Sequence, residues 1–127
     1  MSPKPLIAYV LDCPDPRALA EFYVRLLDWE IDEDDSDADW VNVDDPDSGA
    51  RLSFQRDTGY RRPTWPDRVV PQMAHLDFRV STLREGHDAA LSAGAEQLPQ
   101  PADQSDANFR VYADPDGHPF CMCAAEE

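Results

Sequence analysis

The sequence predicts an α+β protein made of two copies of a βαβββ module, and three features of the chain support this prediction. A strand followed by a helix occurs twice, at residues 6–27 and again at residues 73–93. Each half then carries an Asp-Pro-Asp turn, at residues 45–47 and 114–116. The predicted elements also follow the same order in both halves, which indicates an internal repeat.

The domain organisation follows from length and from the prolines. A chain of 127 residues is the size of one domain and can bury a substantial core. We predict a single domain over residues 1–127, with module 1 at 5–56, a hinge at 57–72 and module 2 at 73–124. Three prolines exclude the hinge from a central strand or a helix interior: Pro63, Pro66 and Pro71.

Module 1 begins with a predicted strand at 6–13 and a helix at 15–27. Asp15 followed by Pro16 is typical of a helix start, because the carboxylate caps free N–H groups and proline fits the first turn. Asp28 occupies the position after the helix where glycine is usual. Five apolar residues recur at helical spacing and predict a stripe that packs on a sheet: Leu19, Phe22, Tyr23, Leu26 and Leu27. Three further strands are predicted at 29–31, 40–43 and 51–55.

Module 2 opens with a strand predicted at 73–80, in which apolar and polar residues alternate. Such a period of two predicts one buried and one polar face. Thr82 and Glu85 have the spacing of a capping box, and Gly94 is a typical helix end, so a helix is predicted at 82–93. Strands are then predicted at 95–98, 109–113 and 120–124.

The charge of the chain excludes two classes of partner. There are 11 basic and 26 acidic residues, which gives a formal net charge of −15. This field repels phosphate backbones and anionic membrane surfaces, so we expect neither nucleic acid nor membrane as a partner. The acidity favours solubility, and the acidic run at 32–39 is predicted to be a solvated loop.

Cysteine use and hydropathy indicate the compartment. The three cysteines, at positions 13, 121 and 123, are an odd number. The start of the chain lacks the apolar core of a secretion signal, and no apolar run is long enough to span a bilayer. We therefore predict a cytoplasmic protein with free thiols.

Four segments of the chain resemble the glyoxalase, bleomycin-resistance and extradiol-dioxygenase superfamily, also called the vicinal oxygen chelate (VOC) superfamily. These are LIAYVLDCPDPRALAEFYVRLLDWEI, PTWPD, MAHLDFRV and DPDGHPFCMC, and they resemble its glyoxalase-like branch. The resemblance implies two βαβββ modules in a curved, partly closed mixed sheet with a concave cleft, usually in a homodimer. Members include metal-dependent isomerases, dioxygenases and epimerases, and metal-free proteins that sequester an antibiotic, so it implies no single activity.

The resemblance also identifies where metal ligands would stand. The four positions hold Ala8, Ser53, His75 and Cys121. Alanine cannot ligate a metal, and the neutral serine hydroxyl is a poor ligand for a divalent ion. His75 and Cys121 could bind zinc, with Cys123 two residues further on, but module 1 would then contribute nothing. We therefore predict no metal and no cofactor, with His75 as a polar pocket residue hydrogen-bonded on the face that also carries Asp77.

Alternation along the strands predicts which side chains line the cleft. The predicted ligand-binding residues are Ser53, Gln55, His75, Asp77, Arg79 and Cys121, roofed by Tyr60 and Trp65 of the hinge. Two alternatives stay open. Asp12, Arg51, Asp77 and Arg79 could pair with one another as cross-strand ion pairs and bind no ligand. The two hinge aromatics could instead anchor a crossing loop.

Two functional hypotheses follow. The first is a metal-free binder of a small molecule in the concave cleft, related to the bleomycin-resistance members. The second is a metal-dependent lyase, isomerase or dioxygenase with an atypical ligand set, or a metal-free enzyme with Asp77 and His75 as acid and base. A cysteine nucleophile paired with His75 has weak support, because a buried strand thiol is usually inert. The missing ligands at Ala8 and Ser53 favour the first hypothesis.

Overall fold

The computed structural model describes residues 3–65 and 67–124. These residues form two compact units, divided between Tyr60 and Arg61 inside the predicted hinge. We call them module 1 and module 2, and module 2 includes the hinge from Arg61 onward. Each contains four strands and one helix in the order βαβββ, so the predicted α+β class and the repeat are confirmed.

Module 1 is a four-stranded mixed sheet with one α-helix. Its elements are β1 (Tyr9–Cys13), α1 (Pro16–Leu27), β2 (Glu30–Ile31), β3 (Trp40–Asp44) and β4 (Arg51–Arg56). The strand order is β1-β4-β3-β2, with β1 parallel to β4 and the other pairs antiparallel. A short 3₁₀ turn, Glu33–Asp35, lies between β2 and β3.

Both ends of α1 follow the predicted capping chemistry. The Asp15 carboxylate accepts a hydrogen bond from the Ala18 N–H at 3.3 Å, and Pro16 stands in the first turn. Asp28 ends the helix in the left-handed conformation, with φ of 59°, where glycine is the usual residue. Aspartate is among the few residues that tolerate this conformation, so the helix ends there without glycine.

The core of module 1 lies between α1 and one face of the sheet. Phe22 and Tyr23 of the helix are fully buried. The Tyr23 ring stacks on Phe54 of β4, with ring centroids 5.4 Å apart. Val41 and Val43 on β3 complete the buried face. The predicted apolar stripe therefore packs on the sheet as expected, and aromatic stacking adds to the burial energy.

Module 2 repeats this arrangement. Its elements are β5 (Leu76–Val80), α2 (Leu83–Ala93), β6 (Glu96–Gln97), β7 (Phe109–Ala113) and β8 (Pro119–Ala124). The strand order is β5-β8-β7-β6, with β5 parallel to β8 and the other pairs antiparallel. A 3₁₀ turn, Ala102–Gln104, lies between β6 and β7, as in module 1.

The second helix also begins and ends where the sequence predicts. The Thr82 hydroxyl accepts from the Glu85 N–H at 3.1 Å, and the Glu85 carboxylate accepts from the hydroxyl of Ser81. Gly94 ends the helix with φ of 108°. Gly86 lets the helix approach the sheet, because a Cβ there would lie 2.8 Å from the Cβ of Met122.

The core of module 2 fixes which face of the sheet is covered. Phe120 is fully buried and stacks on Tyr112, with centroids 5.7 Å apart. Phe78 meets Phe120 edge to face at 6.0 Å. Met122 lies under α2 beside Gly86. The apolar residues of β5 therefore lie on the helix side, as the alternation predicts.

The two Asp-Pro-Asp turns are alike in their hydrogen bonds. Asp45 accepts from the Asp47 N–H at 2.9 Å and from the Ser48 hydroxyl at 2.7 Å. Asp114 accepts from the Asp116 N–H at 2.9 Å and from the His118 N–H at 3.0 Å. In both turns the carboxylate of the first aspartate accepts hydrogen bonds from groups further along the turn. These bonds stabilise the turn, which is why the motif suits this point of each module.

Two predicted strand starts need correction. The strands predicted at 6–13 and 73–80 begin later, at Tyr9 and Leu76, where their pairing with β4 and β8 begins. Residues 6–8 and 73–75 lie outside these strands, and Met73 is 94% exposed. The acidic run 32–39 is largely exposed, as predicted, and it contains the 3₁₀ turn Glu33–Asp35. Arginines of α1 and β4 pair with its carboxylates: Arg17 with Glu33, Arg51 with Asp32 and Arg56 with Asp39.

Neither helix in residues 3–65 and 67–124 is long and apolar enough to cross a membrane.

Candidate functional site

The face of the module 2 sheet opposite α2 carries the polar residues of β5. In the sheet register Asp77 is paired with Cys121, which is paired in turn with Val111 of β7. One step along, Arg79 is paired with Cys123. Because paired residues in adjacent strands point to the same side, these side chains share one face. This is the face that the alternation predicts for the ligand-binding residues.

Three side chains of different chemistry meet on this face. The His75 Nε2 lies 3.3 Å from Asp77 Oδ1. The donor atoms of His75, Asp77 and Cys121 all lie within 4.8 Å of one another. His75 and Asp77 are exposed, whereas Cys121 is buried. His75 therefore lies beside Asp77 on the predicted face.

The thiol of Cys121 is held in its protonated form. Burial raises its pKa to about 12, and the negative charge of Asp77, which accepts a hydrogen bond from the thiol, adds to the shift. The same two causes, burial and Asp77, raise the pKa of Cys123. A thiol that stays protonated at neutral pH is a poor nucleophile. The surroundings of Cys121 therefore favour a role as a small apolar side chain with a weak hydrogen-bond donor, and they disfavour a role as a catalytic nucleophile.

A cavity of about 180 Å³ adjoins this cluster, and we call it the histidine cavity. Its walls include His75, Cys121, Trp65, Phe109, Val111 and Pro119. Most of these side chains are apolar, and few polar groups are present. Such a combination occurs in sites for small organic molecules, and because the volume is below the roughly 300–1,000 Å³ of drug-sized pockets, it suits a ligand of fragment size.

A second cavity of about 340 Å³ lies beside the hinge segment of module 2, and we call it the glutamine cavity. Its walls include Thr64, Trp65, Asp67, Gln72, Gln100 and Pro101. Trp65, Gln72 and Pro101 also line the histidine cavity. The Trp65 indole N–H donates to the carbonyl oxygen of Pro99 at 3.0 Å, which fixes the ring. Trp65 therefore lines a cavity together with His75 and is also anchored to the segment at Pro99, as in the alternative for the hinge aromatics. A role of Trp65 in binding stays a prediction.

The position in module 1 that corresponds to Cys121 is closed. Ser53 is fully buried, and its hydroxyl donates to Asn42 Oδ1 at 2.6 Å. The Trp40 indole N–H donates to the same oxygen at 2.7 Å, and Asn42 Nδ2 donates to the Asp35 carbonyl at 3.0 Å. We predicted Ser53 as a ligand-binding residue, and this placement is against it. Its hydrogen-bonding capacity is used inside the module.

The remaining predicted site residues lie in different surroundings. Gln55 borders a wide acidic groove of module 1, with Asp12 and Asp39 on its walls. Tyr60 is half-buried at the end of module 1, and its N–H donates to the Asp57 carbonyl at 3.1 Å. Arg79 is exposed and donates to the Ala124 carbonyl at 3.3 Å. Convergence of Gln55 and Tyr60 with His75 in one concave cleft stays a prediction.

Arg51 forms a cross-strand ion pair, but with Asp44 and not with a member of the set named in the alternative. Its guanidinium bonds Asp44 on the neighbouring strand at 2.6 Å and Asp32 at 3.1 Å. The Asp44 carboxylate and the nearby acidic groups raise the pKa of this arginine. The Arg51 side chain therefore stabilises module 1 through these ion pairs.

The four positions at which VOC proteins hold a metal do not fit one here. Ala8 has no donor atom, and the Ser53 hydroxyl is buried and occupied by Asn42. Only His75 and Cys121 of that set remain, and both belong to module 2. Zinc takes about four donors in structural sites and three protein ligands in catalytic ones. These four positions supply only two side chains suited to zinc, those of His75 and Cys121.

Two glutamines of the site were missed in the sequence. The amide group of Gln100 donates to the carbonyls of Gln104 at 2.9 Å and Phe109 at 3.1 Å. Gln72 precedes β5 and borders both cavities. Both residues stand in proline-rich segments without periodicity, so no pattern singles them out. The one sequence signal near them was Trp65, which stands in the same hinge as Gln72.

Comparison with known proteins agrees with the fold. A model of the glyoxalase-like domain family matches residues 8–123. No curated protein matches the sequence significantly. Among solved structures, the bleomycin-binding protein of Streptomyces verticillus, complexed with copper(II)-bleomycin, is 22% identical, with a TM-score of 0.63 over 99% of this chain and 100% of that one.

Two further structures are similar. The fosfomycin resistance protein FosX of Listeria monocytogenes is 16% identical, with a TM-score of 0.69 over 100% of this chain and 94% of that one. A glyoxalase/bleomycin resistance protein/dioxygenase family enzyme of Burkholderia phytofirmans is 16% identical, with a TM-score of 0.72 over 94% and 98%. At these identities the likeness shows the fold alone. Because the family model spans nearly the whole sequence, the chain belongs to the glyoxalase-like family of the VOC superfamily.

Proposed function

We propose that the chain binds a small organic molecule in module 2 without the help of a metal ion. The observation that carries this proposal is the histidine cavity, whose largely apolar walls are combined with a few polar groups at His75 and Cys121. A ligand there would bury apolar surface against Phe109 and Val111 and form hydrogen bonds with His75. The bleomycin-binding relative supports this proposal by analogy of fold.

The proposal is tested by a fragment screen on protein treated with a chelator. We expect several small aromatic compounds to raise the melting temperature with and without EDTA, because binding to the folded state stabilises it. His75→Ala should abolish these shifts. Arg84→Ala, which removes an exposed side chain on α2, is the control and should keep them. Shifts that persist in His75→Ala would place the ligand elsewhere.

A second candidate function rests on the cluster of His75, Asp77 and Cys121. Histidine nitrogen, carboxylate oxygen and thiolate sulfur are all zinc ligands, and three such ligands with an open position are typical of catalytic zinc. The chain would then be a metal-dependent lyase, isomerase or dioxygenase with an atypical ligand set. Metal binding would have to displace the Cys121 proton, whose pKa is about 12. Elemental analysis of protein purified without a His tag separates the two candidates.

We also propose a homodimer. The outer edge of β1 has no strand partner among the described residues, and Leu6 and Ile7 just before it are 81% and 80% exposed. A second copy would cover this apolar surface and the open edge. Sedimentation should give the mass of a dimer, and Leu6→Asp should shift it to a monomer. Leu91→Asp, at an exposed leucine of α2, is the control; a monomeric wild type at high micromolar concentration would contradict the proposal.

The cytoplasm is the compartment we propose. The three described cysteines, Cys13, Cys121 and Cys123, form no disulfide, as predicted. Free thiols suit a reducing compartment, where disulfides rarely persist. Cell fractionation tests this directly, and recovery of the protein in an extracellular fraction would contradict it.

A further inference from the structure

Arg62 attaches the hinge segment of module 2 to the Asp-Pro-Asp turn between β7 and β8. Its guanidinium Nη1 donates to the carbonyl oxygen of Pro115 at 2.8 Å. The same guanidinium lies 3.7 Å from the Glu96 carboxylate, but both side chains are more than half exposed, so this ion pair contributes little. The bond to Pro115 is therefore the main polar attachment of Arg62 within residues 3–65 and 67–124.

The aliphatic part of the Arg62 side chain occupies space that Gly117 leaves open. Gly117 has a φ of 90°, and a Cβ added there would lie 2.4 Å from Arg62 Cγ. Carbon atoms in contact prefer a separation of about 3.5–4.0 Å, so a side chain at position 117 would push the arginine away. Gly117 thus fixes where the aliphatic part of Arg62 lies, as Pro115 fixes its charged end.

The turn that receives Arg62 is held by its own hydrogen bonds. The buried Asp114 carboxylate accepts from the His118 N–H at 3.0 Å. The Gly117 N–H donates to the Asp114 carbonyl at 2.9 Å, and the Asp114 N–H donates to the His118 carbonyl at 3.0 Å. Because these bonds fix the backbone of the turn, Pro115 and Gly117 present Arg62 with a fixed point of attachment.

The two segments that Arg62 joins both lead into walls of the histidine cavity. Trp65 stands three residues after Arg62, and Pro119 begins β8 directly after the turn. Both residues line the histidine cavity. Pro63, between Arg62 and Trp65, restricts the backbone of the connection. A displacement of Arg62 therefore reaches Trp65 through a short and stiff segment.

Trp65 also has an attachment of its own. Its indole N–H donates to the Pro99 carbonyl at 3.0 Å. Two hydrogen bonds tie Thr64 to Val70: the Thr64 N–H donates to the Val70 carbonyl at 2.8 Å, and the Val70 N–H donates to the Thr64 hydroxyl at 3.0 Å. The bonds at Arg62 and at Pro99 are thus two points at which the hinge is held to the rest of module 2.

We propose that Arg62 is a positioning residue of the histidine cavity, which holds the hinge on Pro115 and Gly117 so that Trp65 keeps its place in the cavity wall. Arg62 is not among the described residues that line this cavity, so it acts on a ligand through Trp65. Without this attachment, binding must also order the tryptophan, and that cost lowers the affinity. This inference rests on the proposed function and adds to it a residue outside the cavity.

The first measurement follows Trp65 and needs no ligand. Arg62→Met keeps an unbranched side chain and removes the donors, so hydrogen exchange of the Trp65 indole N–H should accelerate about three- to tenfold, the effect of losing one hydrogen bond. NMR of the ¹⁵N-labelled full chain measures this exchange. The Trp40 indole N–H, bonded to Asn42 in module 1, should exchange as before. Arg61→Met, at the neighbouring exposed arginine, is the matched control.

A pair of glycine variants separates position from stability. Gly117 and Gly94 have φ of 90° and 108°, so alanine strains the backbone at either position. The new methyl group would meet Arg62 only at Gly117, because no described atom lies within 4 Å of the corresponding point at Gly94. Urea denaturation should show a loss of stability in both variants, whereas Trp65 exchange should accelerate only in Gly117→Ala. Equal acceleration in both would overturn the positioning role.

The second measurement uses phenol, which offers a ring to the apolar walls of the histidine cavity and a hydroxyl to His75. Arg62→Met and Gly117→Ala should each weaken phenol binding about three- to tenfold, because ordering the displaced tryptophan costs at most the lost attachment. Arg61→Met and Gly94→Ala should bind phenol like the wild type. Titration of the folded variants measures these affinities.

The outcomes distinguish this inference from the proposed function. Unchanged Trp65 exchange in Arg62→Met, or unchanged phenol affinity in both Arg62→Met and Gly117→Ala, would overturn the role of Arg62. If phenol binding still requires His75 in that case, the proposed function stands. If the wild type binds no phenol while Trp65 exchange accelerates as expected, the attachment of Trp65 by Arg62 is supported and the result counts against the proposed function alone.

Discussion

Ser53 in module 1 and Cys121 in module 2 occupy corresponding positions, and the rows of residues across their sheets differ in a systematic way. The row of module 1 reads Val10, Ser53 and Asn42. The row of module 2 reads Asp77, Cys121 and Val111. The polar partner of Ser53 is Asn42, on the inner strand β3. The polar partner of Cys121 is Asp77, on β5, an edge strand of the described sheet.

The loops before β3 and β7 also differ between the two modules. In module 1 the 3₁₀ turn Glu33–Asp35 lies against Asn42, which donates to the Asp35 carbonyl. In module 2 the 3₁₀ turn Ala102–Gln104 instead lines the cavities that Trp65 borders. The two modules therefore share a helix-facing core, while on the opposite face the position of Ser53 is closed in module 1 and the position of Cys121 borders a cavity in module 2.

The shared core predicts the largest effects, and they should be equal in the two modules. Phe54→Ala and Phe120→Ala should each lower the free energy of unfolding by about 3–5 kcal/mol, because each ring is fully buried and stacks on a tyrosine. Urea denaturation measures both. A loss below about 1 kcal/mol in either variant would show that its module lacks the described packing.

On the sheet faces opposite the helices, we expect a substitution in module 1 to affect stability and the corresponding substitution in module 2 to affect ligand binding. Ser53→Ala should lower the free energy of unfolding by about 1–3 kcal/mol, because it removes a buried donor to Asn42. It should leave fragment binding in module 2 unchanged. Cys121→Ala should weaken that binding, because it removes a wall of the histidine cavity. Denaturation and titration of both variants test the contrast, and weaker binding in a folded Ser53→Ala would reverse it.

The raised pKa of Cys121 predicts two pH dependences. Alkylation of this thiol by iodoacetamide should be slow at neutral pH and should accelerate only as the pH approaches about 12. A folded pKa above the ordinary value of 9.0 also stabilises the folded state fully below pH 9, and this contribution is lost as the pH rises toward 12. Site-resolved mass spectrometry and unfolding at several pH values measure the two effects.

Asp77→Asn sharpens this prediction. Removing the nearby negative charge should lower the Cys121 pKa, although burial should keep it above the ordinary value. Asp88→Asn, on α2, is the matched control and should leave alkylation unchanged. Rapid alkylation of the native wild-type thiol at neutral pH would contradict the protonated state described for it.

The smallest expected effect is that of a chelator. EDTA should not change the melting temperature, and protein purified without a His tag should contain less than stoichiometric zinc, iron, nickel or manganese. The reason is that the positions of Ala8 and Ser53 provide no free ligands and that the Cys121 thiol is protonated. A tightly bound ion whose removal lowers the melting temperature would instead favour a metal site at His75, Asp77 and Cys121.

The local signals in the sequence were sufficient for most of the fold. Asp15 with Pro16, Thr82 and Gly94 mark helix ends through contacts within a few residues, so the helices begin and end as predicted. Alternation along β5 identified the face of Asp77, because strand geometry fixes side-chain direction. The strand starts were less accurate, since pairing partners decide where a strand begins.

The candidate site was predictable only in part, because it depends on contacts between distant segments. His75 and Cys121 could be aligned through the repeat, and Trp65 could be placed in the hinge. The bond between Ser53 and Asn42 depends on the register of two strands, and no local pattern indicates it. The unpaired oxygens of Gln72 and Gln100 depend on where irregular loops meet, which the hydrophobic pattern does not encode.

A crystallographic fragment soak of chelator-treated protein tests the central claim most directly. We predict density for planar compounds in module 2, against Trp65 and within reach of His75, with no metal ion between His75, Asp77 and Cys121. Fragments found only outside the two cavities of module 2, or bound only after an ion is restored to that cluster, would contradict the account.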